Sequence, residues 1–365
     1  MSIRFDKDAR RATNGPMIFF SDPSAMVSLS EEIRGAIESQ LAFYAYRMPG
    51  DLMISFGSSE HVVEGIGERG FVIAPFLPDM PILTIPYRPA KRNIKADGFQ
   101  YRFPSTSTPR EEHAAEIDAI KSALSTYGTG KIVASRVIVN NGRIDVGSTF
   151  AELSRRHPNA FVFCFSTPLT GCWIGASPEL LLEASGNGVK TMALAGTRAA
   201  GESGEWDCKN LEEQQMVTDF ISETLSGNGL DISISPLYTR NAGKVEHLCT
   251  DISASSHEPM TTDRIQSILH QLSPTPALCG TPRDVALDTI RQTERFDRGC
   301  YGGFCGPFRS PADFSLFVTL RCCCIEMERF CIYVGGGITL RSNTEAEWQE
   351  TEAKASTIRD ALIIE

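Results

Sequence analysis

No stretch of this 365-residue chain approaches the roughly 18 uninterrupted apolar residues that a membrane-spanning helix needs. Met1–Phe20 carries Arg4, Asp6, Lys7, Asp8, Arg10 and Arg11 and no apolar core of the kind a secretory signal requires, so a cytoplasmic protein is expected. Positive charge is also in short supply: 35 Lys and Arg against 45 Asp and Glu leave a formal net charge of −10. That excludes the basic surface on which sequence-independent nucleic-acid binding depends, and neither nucleic acid nor membrane is expected as a partner. The 11 cysteines lack zinc-site and disulfide-scaffold spacings, since Cys322, Cys323 and Cys324 are consecutive and no second Cys or His pair stands near Cys300 and Cys305. Thiols packed as small hydrophobes are expected instead. A nucleotide-binding phosphate loop is absent too, because around Gly128-Thr129-Gly130-Lys131 the pattern would need glycine at Ser125 and Ser or Thr at Ile132. No internal repeat and no polar linker divides the chain.

What the sequence does contain is a set of strands in blocks. Strand-like runs at Leu52–Phe56, Gly70–Ala74 and Met80–Ile85 follow a helical periodicity over Ser28–Phe43, where Leu29, Ile33, Ile37 and Leu41 recur every four residues. A helix is expected from about Pro109 to Ser125: Thr108 and Pro109 suit its start, Glu111 and Glu112 its positive end, and Ile117, Ile120 and Leu124 one apolar stripe. It runs through Gly128 and Gly130 into the β-branched stretch Lys131–Val139, which places Lys131 at the entrance of a strand. Further strands are expected at Ala160–Ser166, Cys172–Ala176, Leu180–Ala184, Lys190–Leu194, Phe314–Cys324 and Phe330–Val334, with helices at Lys209–Leu225 and Thr344–Leu362. Strand and helix do not alternate as in a doubly wound sheet, so the expected class is α+β with layered, mostly antiparallel sheets.

Three features could carry chemistry. Glu347, Glu350 and Lys354 fall at helical spacings that put them on one face, where the ordinary reading is a surface ion-pair stripe. Glu212 and Glu213 lie in a second helix, and carboxylates from two helices meeting over a pocket would give the all-oxygen shell that suits Mg2+. Tyr333-Val334-Gly335-Gly336-Gly337-Ile338 reads as a strand ending in three glycines, whose N–H groups could approach an anion closely unless they simply form a tight turn. Arg321 could supply a forked partner for a carboxylate, while a solvated strand-end lysine is the ordinary reading of Lys131.

Taken together, an ordered series of motifs resembles the chorismate-utilising enzyme family, which includes isochorismate synthase, salicylate synthase, anthranilate synthase component I and aminodeoxychorismate synthase. The series comprises Lys131-Ile-Val-Ala-Ser-Arg136, Gly175-Ala-Ser-Pro-Glu179, Ala195-Gly196-Thr197-Arg198, His247-Leu248-Cys249-Thr250, Pro274-Thr-Pro-Ala277, Tyr301-Gly302-Gly303, Thr319-Leu320-Arg321, Gly335-Gly-Gly-Ile338 and Glu347-Trp-Gln-Glu350-Thr351 with Lys354. It covers about Lys131 to Lys354. The resemblance implies one large domain over residues 1–365, with 1–107 a divergent N-terminal part and 108–365 the motif-bearing catalytic part. Water-using members are similar to this chain in having a lysine at Lys131 and Pro-Thr-Pro-Ala at Pro274–Ala277, which implies isomerisation of chorismate to isochorismate feeding menaquinone, siderophore or salicylate synthesis. The family often shows Glu-His where Glu213 is followed here by Gln214.

The roles that the resemblance implies are these. Lys131 is the general base for water and Glu179 the general acid for the departing hydroxyl, so the two need opposite pKa perturbations. Glu213, Glu347 and Glu350 hold Mg2+. Gly196, Thr197, His247, Thr250, Ala277, Tyr301, Arg321, Gly335 and Lys354 line the substrate, with His247 near the C4 side and Ala277 leaving space beside the ring. Chorismate is the expected small-molecule substrate, no glutamine amidotransferase partner is expected, and the chain is expected to act as a monomer or homodimer. A salicylate synthase, which goes on to eliminate pyruvate, is the nearest alternative; a noncatalytic chorismate-binding protein is the one from another class.

Overall fold

The computed structural model describes residues 17–19, 22–67, 69–88, 101–242 and 245–365. Two large sheets form its centre. In order of hydrogen-bonded neighbours, one runs Met17–Phe19, Met53–Ser59, Ala42–Arg47, Phe161–Thr167, Gly171–Ser177, Cys322–Ile325, Arg329–Ile338, Lys131–Asn141 and Gly280–Thr281. The other runs Asp231–Ile234, Val245–Ser255, Gly188–Ala199, Leu180–Ser185, Asp313–Val318, Phe304–Ser310, Gly70–Ala74, Leu83–Pro86 and Val63–Glu64, with Tyr238–Asn241 also paired to Val245–Ser255. The principal pairings are antiparallel, and residues before Thr108 supply strands to one end of each sheet. This is the α+β architecture that the blocks of strands imply.

Side-chain alternation explains why so many strands are apolar along their whole length. In Phe161–Thr167, Phe161, Phe163 and Phe165 join the core between the sheets, while Val162 and Cys164 join a second core. That second core is closed by the helices Pro23–Glu38, Val146–Arg156 and Thr344–Arg359 through Leu29, Ile33, Phe150, Leu153, Ala355 and Ile358. Aromatic rings join the two sheets: Phe161 stacks on Phe317 with ring centroids 4.2 Å apart, and Tyr44 on Phe71 at 5.3 Å. The consecutive cysteines obey the same alternation, Cys322 and Cys324 facing one core and Cys323 the other, and all 11 cysteines are free. No helix among the described residues is long and apolar enough to cross a membrane.

Several local expectations shift. The helix read at Ser28–Phe43 runs Pro23–Glu38 instead, capped by Asp22, whose Oδ1 accepts from the Ser24 N–H at 3.0 Å. Gln40, at φ 54, turns the chain into the strand Ala42–Arg47, so Phe43 is a strand residue and the buried stripe is Leu29, Ile33 and Ala36. The next helix spans Arg110–Tyr127 with Pro109 at its cap, and the Thr108 hydroxyl accepts from the Val137 N–H at 3.1 Å. The stretch Phe314–Cys324 divides into two strands of different sheets, Asp313–Val318 and Cys322–Ile325. Most consequential, the strand Arg329–Ile338 does not end before its glycines: Gly335, Gly336 and Gly337 sit opposite Ser135, Ala134 and Val133 within the ladder.

Truncating Phe161 removes a ring from the middle of the inter-sheet stack and leaves a cavity that two β-sheets cannot close. Phe161→Ala is expected to lower the unfolding free energy by about 3–5 kcal/mol, read as a drop in the urea midpoint at unchanged slope. A midpoint near that of the wild type would show that the stack does not hold the sheets together.

Candidate active site

The glycine run and the strand Lys131–Asn141 form the floor of a cavity between the sheets. Glu179 follows the strand Gly171–Ser177, Arg321 stands between the strands Asp313–Val318 and Cys322–Ile325, and His247 lies on Val245–Ser255. The helix Cys208–Gly227 brings Lys209, Glu213 and Gln214, and Thr344–Arg359 brings Glu347, Glu350 and Lys354. Glu179, Gly196, Thr197, Glu213, His247, Ala277, Tyr301, Arg321, Gly335 and Lys354 all line this cavity, so residues scattered over most of the motif series converge. A larger cavity of about 810 Å³ lies elsewhere and contains none of them, so the convergent charges and not the volume identify the site.

Three ion pairs dominate it. Lys131 Nζ stands 2.6 Å from Glu213 Oε1, Lys209 Nζ 2.6 Å from Glu347 Oε1, and Lys354 Nζ 2.5 Å from Glu350 Oε1. Lys354 also donates to the Gly335 carbonyl at 2.9 Å. Each carboxylate assigned to a metal from the sequence therefore has an ammonium partner, and among the described residues no three acidic, His or Cys groups converge on one point. The acids approach the glycine run from its two faces. A Cβ on Gly337 would lie 2.7 Å from Glu213 Oε1, and one on Gly336 3.1 Å from Glu347 Oε2 and 3.8 Å from Glu350 Oε1. The glycines thus clear room for charged side chains while their own backbone stays in the ladder.

The electrostatics separate the groups by role. Burial pushes the Glu179 carboxyl up to about 8 against the opposing fields of Lys131, Arg240, Arg321 and Lys354, so it is largely protonated at neutral pH. Burial, then Glu350, raises Glu347; for Glu350, burial is outweighed by Lys354 and Lys209, and it is lowered. Lys209 is half-buried, and the desolvation that would lower it is outweighed by Glu347, Glu350 and Glu213, which raise it, so its ammonium lies in the field of all three acids. Burial and Arg321 hold His247 down at about 3, neutral at any ordinary pH. Its Nδ1–H donates to the Gly196 carbonyl at 2.9 Å, which leaves Nε2 to accept from Arg321 Nη2 at 3.1 Å. Arg321 holds φ 50, a left-handed conformation costly for a non-glycine residue.

Other sequence-derived positions take supporting places. Thr197 N donates to Asn210 Oδ1 at 2.9 Å and its hydroxyl lies 3.3 Å from His247 Nδ1. Thr250 lies behind Gln214, whose Nε2 donates to the Thr250 hydroxyl at 3.1 Å and to the Ala193 carbonyl at 3.0 Å, while its Oε1 accepts from the Ala195 N–H at 2.8 Å. The amide standing where relatives often have imidazole is therefore fully engaged in fixing helix Cys208–Gly227 to the strand beside it. Lys209 escaped the sequence reading; its spacing of four from Glu213 on a helix was the available signal.

The raised carboxyl of Glu179 links folding to pH. Its folded value near 8 exceeds the ordinary 4.5, so the stability it contributes is complete below about 4.5 and is lost as pH rises through about 8. Between pH 5 and pH 9 the wild-type melting temperature should therefore fall relative to that of Glu179→Gln, which cannot ionise. A difference constant across that range would mean that Glu179 ionises normally.

The chain matches the chorismate binding enzyme family over residues 90–363. It is 31% identical over 278 residues to isochorismate synthase MenF of Escherichia coli (strain K12), covering 71% of this chain and 63% of that protein. To the salicylate biosynthesis isochorismate synthase of Pseudomonas aeruginosa it is 30% identical over 288 residues, 75% of this chain and 60% of that one. The matched part thus spans about three-fifths of the length of these curated relatives. The solved structure of the menaquinone-specific isochorismate synthase from Escherichia coli superposes with a TM-score of 0.74 at 21% identity, covering 88% of this chain and 89% of that one, and so shares the fold. A match to the family over residues 90–363 and an ordered motif series gathered into one cavity establish that the chain belongs to the chorismate binding enzyme family.

Proposed function

We propose that the protein is an isochorismate synthase, converting chorismate to isochorismate by adding water at C2, shifting the ring double bonds and releasing the C4 hydroxyl as water. The observation that carries this reading is a buried, largely protonated Glu179 lining the cavity, with a buried Lys131 behind the Glu213 that lines it too, an acid and a base poised for one hydroxyl to leave while another is delivered. Glu179 gives its proton to the C4 oxygen as the C–O bond breaks. Lys131 accepts a proton from the attacking water as the neutral amine, which requires its ammonium first to lose a proton to solvent and its Nζ to exchange the Glu213 carboxylate for that water. Arg321, held by the neutral His247, binds a substrate carboxylate through its forked face, with Lys354 and Tyr301 beside it. Since the cavity is about 70 Å³ and small-molecule pockets begin near roughly 300 Å³, a ring-sized occupant must part the ion pairs that narrow it.

Mg2+ belongs to this proposal as the cofactor. The donors fit a hard cation: all are carboxylate oxygens, and Glu347 Oε2 is buried without a hydrogen-bond partner. Glu213, Glu347 and Glu350 would hold the ion, which would supply positive charge to a substrate carboxylate. The ammonium of Lys209, set among the same three acids, would then have to yield its place. A water-activating lysine needs no ammonia, so no amidotransferase partner is proposed.

Purified protein given chorismate and Mg2+ is expected to yield isochorismate on chromatography, and chelation with EDTA to abolish it. Salicylate with pyruvate as the end product would move the reading to a salicylate synthase, and anthranilate formed from ammonium salts would overturn it. Lys131→Ala should lower kcat by about 10²-fold or more, and Glu179→Gln should lose turnover yet still bind chorismate. Wild-type turnover in either variant would remove that residue from the chemistry.

A further inference from the structure

Arg321 faces two cavities. Its Nη2 meets His247 in the inner one, and its Nη1 donates at 3.1 Å to Thr357 Oγ1 in an outer one of about 220 Å³ that shares Pro178 and Arg321 with the inner. The ionisable side chains lining the outer cavity are Arg156, His157, Arg240 and Arg321, with no Asp or Glu among the described residues. Arg156 is paired with Glu152 at 2.6 Å, and burial lowers the His157 pKa, which keeps that ring neutral near pH 7. Arg240 is different. It is half-buried, its Nη1 stands 3.3 Å from Met192 Sδ, and among the described residues no carboxylate lies within ion-pairing distance of it. The strand Tyr238–Asn241 places Arg240 directly opposite His247, the residue that supports Arg321 from the other side.

We propose that this outer cavity is an anion-guiding vestibule, in which Arg240 draws a small dicarboxylate toward Arg321 and into the inner site. The inference rests on the reading of the substrate as a dicarboxylate. A guanidinium without a carboxylate partner, held at the mouth of a low-dielectric cleft, leaves positive potential to attract an anion. That Arg240 acts inward as well is seen in its field at Glu179, which opposes the effect of burial there. A protein of net charge −10 repels dianions at long range, so a local reversal beside the inner site affects the rate of encounter more than it affects affinity.

The association rate constant of chorismate, followed by stopped-flow protein fluorescence at several NaCl concentrations, tests this. Arg240→Gln should slow association at least about threefold at low salt and flatten its salt dependence, whereas Arg240→Lys, which keeps the charge but not the fork, should stay within about twofold of wild type. Asn159→Glu, at an exposed lining position, should slow it by placing an acid in the vestibule. Unchanged rates and salt slopes in Arg240→Gln and Asn159→Glu would overturn the proposal, as would an Arg240→Lys variant as slow as Arg240→Gln. A wild type that does not turn chorismate over would sink the functional reading instead; the vestibule is then judged by the same variants with malonate, a non-reacting dicarboxylate, as the probe.

Discussion

Desolvated charge is the constraint on which the centre of this protein depends. Lys131, Glu179, Glu347 and Arg321 are all buried, and a buried charge is tolerable only when it is paired, hydrogen-bonded or neutralised. Each takes one of those routes. Lys131 pairs with Glu213, Glu347 with Lys209, Arg321 leans on a neutral His247, and Glu179 keeps its proton. The uncompensated remainder is small and specific: one oxygen of Glu347 has no partner. Pre-organised charge of this kind is costly to the fold, and it is placed where an anionic ligand or a cation can complete it.

The glycine run makes that packing possible. Side chains at Gly336 and Gly337 would occupy the space now taken by Glu347 and by the Lys131–Glu213 pair, so two helices and a strand could not bring their charges to one ladder. Reading those glycines as backbone donors at the end of a strand anticipated their importance but not their work, because sequence does not show which side of a ladder a distant helix covers. The same limit explains Lys209 and Arg240. Each acts through a partner from another element, Lys209 through Glu347 of the helix Thr344–Arg359, and Arg240 through its position opposite His247 and its field at Glu179.

What was legible was whatever is written locally or in an ordered series. The strands Gly70–Ala74 and Phe161–Thr167 show as apolar β-branched and aromatic runs, and the helix Arg110–Tyr127 as a stripe with acidic residues at its start. Residues named from the motif series meet around one cavity although they come from both sheets and two helices. The helix at Pro23–Glu38 was misplaced because Leu41 continues its four-residue spacing by chance beyond the point where Gln40 turns the chain. The helix Val146–Arg156 went unread, although Asp145 caps it and Val146, Phe150 and Leu153 form its buried face.

Whole-chain charge and site charge answer different questions. A net charge of −10 bears on solubility and long-range encounter, and it argues against a polyanionic partner. Inside the cavity the balance is set over a few ångströms: three carboxylates meet three ammonium groups, Glu179 contributes no full charge, and Arg321 remains in excess. Arg240 and Arg321 put positive charge on the adjoining cavity, whose wall holds no Asp or Glu among the described residues, although the protein as a whole is acidic. The sign that an anionic ligand would meet is therefore set by the few side chains lining these two cavities and not by the whole-chain sum.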